Sequence, residues 1–194
     1  MPREKIKESF AEGYKLLGDF ISDENNFNKI DMIVKSIIGA FDSGRKVIIC
    51  GNGGSMTDAM HFAEELTGKF RTDRKPLPAI SLSDPSHITC VANDYGFEEI
   101  FSRGVEALGQ KGDVFIGLST SGNSPNIIKA VEKARERRII TVLLLGKDGG
   151  KLKGKSDHEI IINGSASDRI QELHMFILHT IVEGIERVMF PENY

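Results

Sequence analysis

Apolar residues recur at three- and four-residue steps over the first 41 positions: Ile6, Phe10, Tyr14, Leu17 and Ile21, then Phe27, Ile30, Ile33, Ile37 and Phe41. Each series predicts a helix with one apolar stripe. The polar residues Ser22-Asp-Glu-Asn-Asn between them can end one helix and cap the next. After Gly44 the pattern changes. Short, unalternating runs rich in Val and Ile, at 46–50, 79–82, 114–118, 139–145 and 159–162, alternate with helical stretches. Runs of this kind predict strands buried on both faces, hence a parallel sheet with helical crossovers. The expected fold is α/β: a doubly wound, five-stranded parallel sheet flanked by helices. The chain reads as one domain over 1–194, with a helical pair at 1–44 and an α/β core with a C-terminal helix at 45–194. That last helix, at about 168–189, carries Ile170, Leu173, Ile177, Leu178, Ile181, Val182, Ile185 and Val188. So wide a stripe is expected to pack on the core or on a partner subunit.

Composition narrows the function classes. Twenty-five Lys+Arg against 28 Asp+Glu give a net charge of −3, and the densest basic run is only Arg135-Glu-Arg-Arg138, which argues against nucleic acid as a direct ligand. No window offers the 18 or so apolar residues of a membrane span, and charges occupy the N-terminus where a signal peptide needs an apolar stretch. A cytoplasmic location is expected, with Cys50 and Cys90 reduced, since they form no CxxC pattern.

Ligands of open α/β sheets bind beyond the carboxyl ends of the strands. After the first strand run comes Gly51-Asn-Gly-Gly-Ser55, whose glycines let backbone N–H groups approach a ligand; Ser55 is expected to cap the next helix with Asp58. A GxGxxG fingerprint would need glycine where Met56 stands, and no Gly-Lys-Ser/Thr follows for a P-loop. After the third run comes Ser119-Thr-Ser-Gly-Asn-Ser124-Pro125, with Ser124 as N-cap and Pro125 at the first helical position. Hydroxyls of Ser119, Thr120, Ser121 and Ser124 around a helix N-terminus suit a monophosphate, and the absence of lysine in the loop disfavours a triphosphate. His61 and Glu65 stand four apart on one helical face, a spacing that one cation could bridge but that is commoner as a surface pair.

These two loops, with His61-Phe-Ala-Glu-Glu-Leu-Thr-Gly-Lys69, Val91-Ala-Asn-Asp-Tyr-Gly96 and Asp168-Arg-Ile-Gln-Glu-Leu-His174, resemble the sugar isomerase (SIS) family, and within it the branch that isomerises sedoheptulose 7-phosphate. The resemblance spans nearly the whole chain. It implies a single, flavodoxin-like SIS domain and an aldose–ketose isomerase that makes D-glycero-D-manno-heptose 7-phosphate through a cis-enediol, the first step towards ADP-heptose for lipopolysaccharide. It also implies a homotetramer with active sites at subunit contacts. Glu65 and His179 would be the acid/base pair, and one zinc ion per subunit would be held by His61, Glu65, Gln171 and His179. The sugar phosphate would lie on Asn52, Gly53, Gly54, Ser55, Glu65, Asn93, Asp94, Ser119, Thr120, Ser121, Ser124, Asp168 and Gln171. Spacing alone pairs Gln171 with His174, three apart on one face, whereas Gln171 and His179 are about 12 Å apart along a helix axis. His174 is then expected to be structural. Met56 and Lys69 depart from the family pattern at positions that bear on affinity. Relatives of this fold that instead bind the replication initiator as tetrameric platforms lack the full acid/base set, and the presence of both Glu65 and His179 favours the enzyme.

Overall fold

The computed structural model describes residues 2–194. Two helices, α1 (Arg3–Ile21) and α2 (Glu24–Asp42), precede β1 (Val47–Gly51) and α3 (Gly54–Thr67). Then follow β2 (Ala79–Ser81), α4 (Pro85–Tyr95), α5 (Ile100–Leu108), β3 (Val114–Ser119) and α6 (Pro125–Glu136). The chain closes with β4 (Ile140–Gly146), β5 (His158–Ile162) and α7 (Ser167–Met189). The strands pair in parallel in the order β2-β1-β3-β4-β5, the flavodoxin-like arrangement. All five apolar runs became strands.

The runs lack alternation because each inner strand feeds two cores. Val47 and Ile49, Val114, Ile116 and Leu118, and Val142 and Leu144 pack with α2, α3 and α7 on one side. Ile48, Cys50, Phe115, Leu143 and Leu145 pack with α4, α5 and α6 on the other. The wide stripe of α7 goes to the core: Ile170, Leu173, Ile177, Leu178, Ile181, Val182 and Ile185 are buried, and only Val188 is exposed. The stripe of α1 is only partly used. Leu16, Leu17 and Phe20 face the core, while Phe10 and Tyr14 are 77% and 81% exposed.

One local expectation changes. Gly53, at φ 55°, is the N-cap of α3, so Ser55 lies inside the first turn, buried, and does not cap the helix. The N-cap of α7 is Ala166, which leaves Asp168 in the first turn, where its charge favours the helix dipole without capping. Asp94 lies in the last turn of α4. Asp23 does cap α2, its carboxylate accepting the Asn25 N–H at 3.0 Å.

Candidate functional site

The crossovers leaving β1 and β3 run to opposite sides of the sheet, and these two strands are neighbours, with Gly51 paired to Leu118. Their carboxyl ends therefore open the crevice at the switch point, and both glycine-hydroxyl loops lie there. Ser124 is the N-cap of α6 and Pro125 follows it, as the sequence predicts. The Ser124 hydroxyl lies 3.2 Å from that of Ser119, which also accepts the Gly122 N–H. Gly122, at φ 64°, presses on the Gly149 backbone, where any Cβ would clash. Ser121 accepts the Asn123 N–H. Thr120 donates to Ser167 at 3.3 Å, bringing the start of α7 to the serine loop.

The glycine loop is tied in from both sides. Asn52 and Asn126 exchange reciprocal amide hydrogen bonds of 2.9 and 2.8 Å, and Asn126 is buried. Asn52 is thus braced by its carboxamide, leaving its backbone and one remaining N–H to face a ligand. Gln171 donates to Ser55 Oγ at 3.3 Å, and its amide fills the space that a Cβ on Gly54 would need. A bound phosphate would meet the N-termini of α3 and α6 with hydroxyls between them.

A second cluster lies further along α3. His61 Nε2 is 3.0 Å and His179 Nε2 is 3.9 Å from Glu65 Oε1, and all three ligand atoms lie within 4.8 Å of one another. The imidazoles meet edge-on with centroids 5.0 Å apart, and the Phe70 ring stands 5.7 Å from that of His179. Burial, then the neighbouring His61, push the His179 imidazole below its usual pKa, while Glu65 pulls the other way. His179 Nε2 is buried and has no hydrogen-bond partner among the described residues. Two imidazoles and a carboxylate with one orphaned ring nitrogen form a donor set that fits a zinc-like cation. Beside it, Asp58 Oδ2 is also buried and unpartnered, and burial raises its carboxyl to about 6.

Of the four ligands expected, three thus come together, and Gln171 is engaged by Ser55 instead. His174 is structural: fully buried, with Nε2 3.1 Å from the Leu145 carbonyl. Asn93 and Asp94 are exposed, and among the described residues their side-chain hydrogen bonds run within α4. Asp168 is exposed and paired with Arg169. The cradle and the cluster are separate in one chain, for Ser55 and Glu65 stand about 15 Å apart along the α3 axis. Asn126 and Phe70 escape sequence reading, since each acts on a partner far along the chain; no spacing signal links Asn52 to Asn126, 74 residues away.

Comparison with known proteins shows the family and the fold. The SIS domain family model matches residues 10–146. The phosphoheptose isomerase of Fusobacterium nucleatum is 63% identical over 96% of this chain and 96% of its own. The structure of the phosphoheptose isomerase from Francisella tularensis superposes with a TM-score of 0.90 at 34% identity, covering 95% of this chain and 97% of that one. That of the Neisseria gonorrhoeae enzyme gives 0.88 at 35%, covering 95% and 98%. With the family model matched over most of the chain and relatives matched over nearly their whole length, the chain belongs to the SIS domain family, in its phosphoheptose isomerase branch.

Proposed function

We propose that the chain is an aldose–ketose isomerase that interconverts sedoheptulose 7-phosphate and D-glycero-D-manno-heptose 7-phosphate. The observation that carries this reading is the meeting of Glu65 with two imidazoles on a fold whose loops form a phosphate cradle. The near full-length likeness to phosphoheptose isomerases supports the choice of sugar. The whole chain would work as one SIS unit, and the substrate would be met in the cytoplasm; no helix among the described residues is long and apolar enough to cross a membrane.

In the proposed reaction the phosphate sits on the Ser119–Ser124 loop and the N-termini of α3 and α6, with Gly53, Gly54 and Ser55 lending backbone and hydroxyl contacts. Asn52, Asn93, Asp94 and Gln171 would hold sugar hydroxyls, and Asp168 would orient water or the imidazole. The Glu65 carboxylate takes the proton from C1 of the ketose, and the electrons of the broken C–H bond form the C1–C2 double bond. The C2 carbonyl oxygen takes a proton, giving the cis-enediol. Return of a proton to C2 and loss of the C1 hydroxyl proton leave the C1 aldehyde, so no atom is gained or lost. His179 is the partner that shuttles protons between the oxygens. His61, Glu65 and His179, with Gln171 swung from Ser55 as a fourth ligand, would hold zinc, which when bound supplies Lewis-acid polarisation of the carbonyl and enediolate oxygens. A residue cannot ligate tightly and move protons freely, so the ligand set is expected to exchange readily.

Glu65→Gln keeps the size of the side chain and removes the base. Isomerisation should fall by about 10³-fold or more, while calorimetry still detects binding of the sugar phosphate; retained turnover would refute the role of Glu65. The separation of cradle and cluster, and the exposed Phe10 and Tyr14, support a homotetramer in which a neighbouring copy completes each site.

A further inference from the structure

The segment between α3 and β2 has little regular structure, yet it carries the most enclosed ion pair of the fold. Arg74 and Glu186 have side chains 1% and 0% exposed, with Nε 2.7 Å from Oε1. Among the described residues the other nitrogens of the guanidinium do not pair with a second carboxylate. They donate to backbone carbonyls of the last turn of α3 and just beyond it: Nη2 to Glu65 at 2.6 Å, and Nη1 to Leu66 at 2.8 Å and Gly68 at 3.0 Å. The second Glu186 oxygen accepts the Tyr194 hydroxyl at 3.0 Å.

The last carbonyls of a helix have no partner within it, and a planar guanidinium can satisfy several at once while complementing the dipole. Here one of them belongs to the residue read above as the base. On α7, Glu186 lies seven residues after His179, two turns along the same face. One buried side chain therefore ties the backbone of Glu65 to the helix that carries His179. A second tie, Arg71 to Glu183 at 2.7 Å, holds the same segment on α7 and with it Phe70, whose ring stands against the His179 imidazole.

We propose that Arg74, anchored by Glu186, is a positioning residue that sets the spacing between Glu65 and His179. The proposal rests on the reading in which those two groups exchange the substrate's protons. It differs from a plain structural ion pair, whose loss lowers stability but leaves each folded molecule as active as before.

Arg74→Lys keeps the charge for Glu186 and loses the planar fork that reaches three carbonyls. The expected result is a folded protein with kcat lowered about tenfold or more and KM within about twofold, because misplacing reacting groups by a fraction of an ångström costs rate more than ground-state binding. In histidine NMR spectra the His179 resonances should shift while those of His174 stay. Unchanged kcat per folded molecule, with a lowered Tm and an unmoved His179 signal, would overturn the proposal. Should Arg74→Lys fail to fold, Tyr194→Phe removes the hydroxyl whose hydrogen bond Glu186 accepts; a kcat lowered about two- to fivefold supports the clamp and an unchanged one overturns it. A wild-type protein that does not isomerise the heptose phosphate defeats the functional reading instead, and the His179 shift then decides the clamp by itself.

Discussion

His174 is the side chain whose surroundings make the sharpest solution prediction. Burial holds its imidazole neutral, with the pKa pushed down from 6.5 to about 4. The unfolded chain takes up a proton below pH 6.5 that the folded chain refuses, so the stability associated with this group is complete above pH 6.5 and is lost as pH falls towards 4. From pH 7 to pH 5 the loss is about 2 kcal/mol. Asp58, raised to about 6, works in the opposite direction over part of this range, so the readout is a difference. The urea midpoint of His174→Leu should fall less between pH 7 and pH 5 than that of the wild type, and equal falls would show that His174 is not held neutral. At this scale the sequence was only partly legible. Helical spacing joins His61 to Glu65, but it pairs Gln171 with His174 instead of His179, and the two histidines occupy different faces of α7. His174 points into the sheet and His179 points at α3.

Elements were easier to read than residues. The inner strands are marked by unbroken apolar runs because they are covered on both faces, and Ser124-Pro125 marks the start of α6 because N-cap and first-turn preferences act locally. The edge strand β2 is three residues long and less buried, and was still found at Ala79. Capping by Ser55 is misread because a glycine upstream starts α3 earlier than the polar residue suggests. What holds α3 to α7 was not legible at all. Arg74 and Glu186 are 112 residues apart, and their pairing exists only once the sheet has brought the two helices together.

For the whole molecule, the chain supplies a cradle at the β1/β3 switch point and a His-Glu-His cluster about 15 Å along α3 from it. Phe10 and Tyr14 on α1 and Phe176 on α7 face solvent in a single copy. Apolar side chains of this size in open water favour self-association. Sedimentation equilibrium should report a tetramer, and a monomer at micromolar concentration would contradict a site shared between subunits.

In the proposed reaction a proton moves between neighbouring carbons of a sugar phosphate through an enediol. Sedoheptulose 7-phosphate incubated with the protein in D₂O tests it most directly, with NMR following both sugars. An aldoheptose 7-phosphate carrying solvent deuterium at C2 should form, and both product and label should be lost in Glu65→Gln. Unaltered ketose with no deuterium at C1, from a folded and metal-supplemented protein, would contradict it.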